Sequence, residues 1–298
     1  MCRRYSPEDL GACSGRSGSR PNVRPGIWMN DRQQRIDDPA DPRLADYLAL
    51  NDPEHRRRVE RRGGYFIVEG VVAIERLLAN PRWSVRSLLL LDTLANRLIH
   101  HLRAVPAAVF IAPSDVLRSV VGFDLHRGAL ASVDRPPPLS AAALAANARL
   151  LLITEGLNDH ENLGALFRNA AAFNVDGVLL DRTTADPLYR RSVRVSTGHV
   201  LDVPFASIGP LPEGLDVVRA VGATVVALTP SPAAPDLRDL DLAGLGTPIA
   251  LLVGAEGPGL TRGCLAAADV FCRIPMARRV DSLNVATAAA VVLSHLGV

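Results

Sequence analysis

Three segments in the second half of the chain carry residue types suited to holding a ligand beside a reacting group. The first, Glu155 to Arg168, places a compact amide, Asn162, just under two helical turns before an arginine, Arg168. The second is Gly254-Ala-Glu-Gly-Pro-Gly259. Its glycines permit positive φ and close backbone approach, and free N–H groups in such a turn bind ligands. Glu256 disfavours a neighbouring phosphate and suits a cationic sulfonium, an amine or an RNA hydroxyl. The third, Pro275 to Asn284, brings Ser282 and Asn284 to the start of a helix of small residues. Taken singly, the three read as a surface arginine on an amphipathic helix, an ordinary glycine-rich turn and a capped helix. The second lacks the G-x-G-x-x-G spacing of a dinucleotide fingerprint.

Each segment follows an apolar run that reads as a strand. Strands are expected at Leu150–Thr154, Asp176–Leu180, Ala223–Leu228, Ile249–Val253 and Phe271–Ile274. Asn162 is expected to cap a helix over Leu163–Phe173, with Leu163, Leu166, Phe167 and Ala170 in the core and Gly164 and Ala165 leaving space beside Arg168. A last helix spans about Asn284 to Leu296. Continuous apolar strands imply an α/β fold with a mostly parallel sheet covered on both faces, where ligands gather at the carboxyl ends of the strands.

Upstream, residues 41–134 read as a smaller α/β unit, with strands at Tyr65–Val68, Ser87–Leu91, Ala107–Ile111 and Gly128–Val133 and helices at Gly70–Ala79, Leu94–Leu102 and Ser114–Val120. Residues 1–40, rich in Gly, Ser, Pro and Arg, read as a disordered basic extension. Residues 135–147, opening on Arg135-Pro-Pro-Pro, read as a linker, and 148–298 as the second domain.

Composition excludes several mechanisms. All 33 basic residues are arginine, so no Schiff-base, P-loop or kinase lysine exists. Cys2, Cys13, Cys264 and Cys272 form no CxxC pair and no zinc spacing with histidine, so reduced thiols and no metal are expected. No apolar run reaches the roughly 18–20 residues of a membrane span, and no apolar core follows the first arginines as in a secretory signal. The expected location is the cytoplasm, with no membrane partner.

As a set, Asn162-x-Gly164-x-x-x-Arg168, Val253-Gly-Ala-Glu-Gly-Pro-Gly-Leu260 and Ile274-Pro-Met with Asp281-Ser-Leu-Asn-Val-Ala286 resemble, in order and spacing, the three motifs of the SpoU/TrmH family of SPOUT RNA 2′-O-methyltransferases. Val193-Arg-Val-Ser-Thr-Gly-His199 resembles the stretch between the first and second motifs. The resemblance covers about Leu150 to the C-terminus. Residues 43–134, including Gly64-Tyr-Phe-Ile-Val-Glu-Gly70, resemble the ribosomal-protein-like substrate-binding domain often fused in front. The resemblance implies a SPOUT-type sheet with a C-terminal trefoil knot, a homodimer, and S-adenosylmethionine as cofactor. It implies cofactor contacts at Gly254, Ile274 and Leu283, with Leu228, Thr229 and Met276 nearby. It maps Asn162, Arg168, Glu256, Ser282 and Asn284 onto catalytic and RNA-facing positions. One departure concerns the first motif: many relatives have Asp-Pro ahead of the asparagine, where this chain has Asp159-His160-Glu161.

Methyl transfer to a ribose requires removal of the 2′-hydroxyl proton. An arginine is an uncomfortable base, because guanidinium stays protonated. Two roles remain open for Arg168: a base tuned by an RNA phosphate, or a clamp on that phosphate that acidifies the hydroxyl while water takes the proton. Electrostatics favour the clamp. RNA contacts are expected from Arg56–Arg58, Arg61–Arg62 and Arg190–Arg194. Ribosomal RNA is the expected partner ahead of transfer RNA, because of the front domain. Base methylation and a non-catalytic RNA-binding role on the same scaffold are the rivals.

Overall fold

The computed structural model describes residues 32–296 except 53, 55–59, 61, 96–104, 106, 126–127, 242 and 278. Residues 1–31 with Cys2 and Cys13, the cluster Arg56–Arg58, Arg61, and most of the expected Leu94–Leu102 helix lie outside the described residues.

The front unit comprises β1 (Gln33–Arg35), β2 (Tyr65–Glu69), α1 (Val71–Ala79), β3 (Val85–Leu91), β4 (Ala108–Ala112), α2 (Ser114–Val121) and β5 (Ala129–Asp134). Its strands lie in the order β1-β4-β3-β5-β2. β4 pairs in parallel with β1 and β3, whereas β5 runs antiparallel to β3 and β2. β1 falls inside the stretch assigned to the disordered extension, and Ile36 just after it is 2 % exposed in the core. Three polar residues, Gln33-Gln-Arg35, carry no strand pattern; pairing with β4 makes them one.

The assigned linker is also shorter than expected. α3 (Ala141–Ala146) occupies its second half, with Ser140 Oγ accepting from the Ala143 amide and Ala145 fully buried. The second unit continues with β6 (Leu150–Glu155), α4 (His160–Ala172), β7 (Gly177–Asp181), α5 (Arg190–Val195), β8 (Phe205–Gly209), α6 (Asp216–Arg219), β9 (Thr224–Leu228), β10 (Ile249–Gly254), α7 (Arg262–Ala267), β11 (Val270–Cys272) and α8 (Val285–His295). The order is β11-β9-β10-β6-β7-β8, and every neighbouring pair is parallel. Alternate residues of the central strands serve opposite faces, which is why they read as unbroken apolar runs. Leu152, Leu251 and Val253 pack under α4 and α8, while Leu151, Ile153, Ala250 and Leu252 pack under α3 and α7. β8, an edge strand with Phe205 partly exposed and Ser207 exposed, lacks such a run and has no counterpart among the expected strands.

The two units dock through α5. The Glu69 carboxylate at the end of β2 receives Arg190 Nη1 at 2.8 Å, with the two side chains only 6 % and 14 % exposed. Trp83 Nε1 and Asn80 Nδ2 both donate to the Leu201 carbonyl, at 2.9 and 3.1 Å. Among the described residues no helix is long and apolar enough to cross a membrane, and no three His, Cys, Asp or Glu side chains gather as metal ligands.

Candidate active site

β6, β9, β10 and β11 point their carboxyl ends to one edge, and the three chemistry-bearing segments leave from there. The turn after β10 is held tightly closed. The Gly259 amide donates to the Ala255 carbonyl at 3.0 Å, and a Cβ on Gly254 would stand 2.4 Å from the Gly259 carbonyl carbon. Gly257 and Gly259 take φ of 88° and 67°, a region that side chains disfavour. Beyond the turn, Thr261 caps α7 and gives its amide and hydroxyl to the two oxygens of Glu155, each at 2.8 Å. Glu155, last residue of β6, thereby ties the first segment to the exit of the second.

Asn284 ties all three together. It caps α8, its Oδ1 accepting from the amides of Ala286 and Thr287. Its Nδ2 donates to Asn162 Oδ1 at 2.6 Å and to Glu256 Oε1 at 2.8 Å. One side chain thus spends both ends of its amide, one on a helix cap and the other on the two remaining segments. Asn162 is not the helix cap expected from sequence. Asp159 caps α4, accepting from the amides of Glu161 and Asn162 at 2.7 and 2.9 Å. The helix therefore starts at His160, and Asn162, within its first turn, keeps its side chain for Asn284.

Around this junction lies a cavity of about 380 Å³. Leu228, Thr229, Gly254, Ile274, Met276 and Leu283, the expected cofactor contacts, all line it, together with Glu256, Ser282 and Asn284. Its size falls in the range of small-ligand sites. Apolar side chains suited to a ring system, glycine backbone suited to polar edges and one carboxylate, Glu256, suited to a cation form a lining that fits S-adenosylmethionine. A second, polar cavity of about 960 Å³ shares Ala255, Glu256 and Gly259 with the first and reaches Asn158, Asn162, Arg182 and Thr183. Glu256 stands between an apolar chamber and a polar one.

Arg168 is not brought to this junction within the chain. It is exposed on α4 and lines neither cavity. Nor does Gly164 open space beside it. A Cβ on Gly164 would lie 2.7 Å from the Ser192 carbonyl, so this glycine lets α4 approach α5. The expected RNA-facing cluster on α5 is largely committed elsewhere: Arg190 and Arg194 to Glu69, Arg191 to Glu161. Arg190 also lies over the Phe123 ring, 4.6 Å from its centre.

Two anchors escaped sequence reasoning. Glu155 is one; Asp181, last residue of β7, is the other. Asp181 accepts from the amides of Gly156, Thr183 and Thr184 and from both threonine hydroxyls. Burial pushes its carboxyl up, but these donors outweigh burial and hold it below the ordinary aspartate value. The available signal was an acidic residue closing an otherwise apolar strand, present in both β6 and β7. The free thiols Cys264 and Cys272 are buried; burial and then the Glu155 contact push Cys264 up to about 12.

Comparison with known proteins shows the family. Residues 149–294 match the SpoU rRNA methylase family. An uncharacterized tRNA/rRNA methyltransferase of Mycobacterium tuberculosis is 46% identical over 257 residues, covering 86% of this chain and 89% of the relative. A 23S rRNA (guanosine-2′-O-)-methyltransferase of Ralstonia nicotianae is 33% identical over 211 residues, 66% of this chain and 81% of that one. The crystal structure of the SpoU methyltransferase AviRb from Streptomyces viridochromogenes with its cofactor AdoMet superposes with a TM-score of 0.72 at 26% identity, covering 86% and 97% of the two chains. The chain belongs to the SpoU methylase family of the SPOUT class. It is an RNA methyltransferase that uses S-adenosylmethionine and acts on ribose 2′-hydroxyls.

Proposed function

We propose that this enzyme methylates a ribose of ribosomal RNA in the cytoplasm, working as a homodimer with the C-terminal segment of each subunit closed into a trefoil knot. The similarity to the Ralstonia enzyme named for 23S rRNA and the resemblance of the front unit to a ribosomal-protein fold favour ribosomal over transfer RNA. The observation that carries the site assignment is the Asn284 side chain joining Asn162 and Glu256 at the rim shared by the apolar and polar cavities.

S-adenosylmethionine, when bound, supplies an electrophilic methyl group on a cationic sulfur. Leu228, Ile274, Met276 and Leu283 pack its apolar parts, and Thr229 and the backbone at Gly254 meet its polar edges. Glu256, held in place by Asn284, faces the cationic side. Asn162 orients the ribose in the polar cavity, and Ser282 and Asn284 fix the rim. Arg168 clamps the phosphate beside the target ribose, which acidifies the 2′-hydroxyl while water takes its proton. Arg168 is exposed and lines neither cavity of its own chain, so in the proposed homodimer we assign it to the reacting ribose of the other subunit.

Mapping ribose methylation in total RNA from cells with and without the gene tests the assignment: one methylated ribosomal nucleotide should disappear with the gene, and loss confined to a transfer RNA would replace it. Arg168→Lys should lose at least a hundredfold in turnover, because a lysine cannot reproduce the bidentate fork. Mixing inactive Arg168→Ala and Asn284→Asp subunits should restore activity at one site of the mixed dimer; no recovery would place Arg168 in its own subunit's site.

A further inference from the structure

Among the residues that line the polar chamber beside the cofactor pocket, Arg182 is the only base; Glu155, Asp159, Asp181 and Glu256 are the acids. Each acid already accepts hydrogen bonds from the protein. Glu155 accepts from Thr261, Asp159 from the first amides of α4, Asp181 from the turn that follows it, and Glu256 from Asn284. Arg182 differs. It is exposed, and its guanidinium has no hydrogen bond, ion pair or ring contact among the described residues.

The turn that carries Arg182 is held on both sides of it. Asp181, which closes β7, accepts from the amides and hydroxyls of Thr183 and Thr184. Thr184 Oγ1 lies 3.0 Å from Thr154 Oγ1 and accepts from the Leu157 amide at 3.2 Å. A Cβ on Gly156 would stand 3.6 Å from the Ala255 Cβ and 3.8 Å from Thr183 Oγ1, so the turns after β6, β7 and β10 meet there. The backbone of Arg182 is thereby fixed at the chamber while its side chain stays uncommitted. Glu155 and Asp181 are buried, whereas Arg182 is exposed. An approaching polyanion therefore meets the guanidinium on the solvent side. Like charge keeps a phosphate from going deeper, while a ribose, neutral and rich in hydroxyls, can go on to Asn162.

We propose that Arg182 holds a backbone phosphate of the substrate RNA at the mouth of this chamber. The inference rests on the ribose-methylation reading, in which the target ribose enters between Asn162 and Glu256, and extends it. The planar guanidinium fork suits two oxygens of one phosphate. Such a contact fixes the position of the strand and carries no sequence information. Arg182 belongs to the subunit whose cofactor pocket adjoins the chamber, so it sets the strand there independently of Arg168 from the other subunit. It acts on RNA binding and not on the methyl-transfer step. In the sequence it stands alone between Asp181 and Thr183, outside the arginine clusters expected to face RNA.

The test uses the full chain, S-adenosylmethionine with a radiolabelled methyl group, and total RNA from cells lacking the gene, over a series of salt concentrations. Arg182→Ala should raise the RNA concentration for half-maximal rate about tenfold and leave kcat within about twofold of the wild type. The fall of log kcat/KM with log salt should become shallower by about 0.7, the value for one lost phosphate contact on a single strand. Arg182→Lys keeps the charge and should keep that slope. Arg149→Ala is the control: Arg149 is also exposed, but stands just before β6 at the opposite edge of the same sheet, and its removal should change neither quantity. An unchanged slope in Arg182→Ala would overturn the proposal, as would an equal change in Arg149→Ala or in Arg182→Lys. So would a loss of S-adenosylmethionine affinity of about tenfold, read by calorimetry without RNA, which would assign the guanidinium to the carboxylate of the cofactor. Normal methylation with unaltered salt dependence in Arg182→Ala sinks this inference alone; a wild-type enzyme that binds the cofactor but methylates no RNA sinks the ribose-methylation reading with it.

Discussion

The rim around Asn284 and the arginine-bearing surface of α5 make an instructive pair. Both stood out in the sequence as functional surfaces, and the structure treats them differently. At the rim, Asn284 meets Asn162 from 122 residues away and Glu256 from 28 residues away, and their polar atoms are spent on one another beside a cavity. On α5, the arginines are spent on carboxylates: Arg190 on buried Glu69 in the front unit, 121 residues away, and Arg191 on exposed Glu161. A short amide at a helix start beyond the carboxyl end of a parallel strand has few places to go, because the sheet delivers the segment to that edge. A long guanidinium can reach any acid within its radius, and its partner is set by docking of two units. Residue type in the segments beyond strand ends is therefore better evidence of a site than a run of charge on a helix.

The sharpest way to break the comparison is Asn284→Asp. The aspartate oxygen still caps α8, so stability should stay within about 1 kcal/mol of wild type. Its second oxygen, however, faces Asn162 Oδ1 and Glu256 Oε1 where a donor was needed. Turnover should fall at least a hundredfold, as for removal of a preorganised donor. Near-normal rates in steady-state kinetics would reduce Asn284 to a helix cap. Next comes Gly254→Ala. Its methyl overlaps the backbone of Gly259 and Leu260, so the turn must open. Calorimetry should show affinity for S-adenosylmethionine weakened at least tenfold, equivalent to about 1.4 kcal/mol.

For α5 the expectation reverses: loss of stability with the cofactor pocket left intact. Glu69→Ala removes the carboxylate from Arg190 in a site where both partners are largely buried, and losses from breaking such pairs run to about 3–5 kcal/mol. Arg191→Ala removes an ion pair whose side chains are each 53 % exposed, and should cost less than about 1 kcal/mol. Chemical denaturation of the two variants measures the difference. Equal effects would show that burial at the unit boundary does not set the strength of these pairs.

Much of the second unit was legible because central parallel strands are apolar on both faces. β6, β7, β9 and β10 fall within a residue or two of the expected bounds, and Leu163, Leu166, Phe167 and Ala170 are all fully buried. What escaped was structure made by partners. β1 is polar and exists through β4, β8 is a half-exposed edge, and α3 is six residues of alanine and leucine that became a helix against the sheet rather than a linker. The start of α4 was misplaced because Asp159, Asn162 and the residues between offer several caps, and spacing alone does not rank them. That Leu228, Thr229, Gly254, Ile274, Met276 and Leu283 would gather in one place was legible through the resemblance, and they line one cavity. The anchors Glu155 and Asp181 belong to no recognised motif, and their roles lie in hydrogen bonds to loops that sequence cannot place.

Asp181 supplies the finest test, since it holds the loop after β6 without lining the first cavity. Its carboxyl is held below the ordinary aspartate value in the folded protein. The charged form is then favoured by folding, so its contribution is present above the unfolded value of about 4 and is lost as pH falls through the lower, folded value. On acidification below about pH 4 the wild type should lose stability faster than Asp181→Asn, and near neutrality the variant should be the less stable of the two. Melting temperatures of both proteins across this range measure the slope. Parallel curves would mean that the Gly156 and threonine donors bind the neutral and charged carboxyl equally, and that the loop joining β6 to α4 is held in place by Glu155 and Thr261 instead.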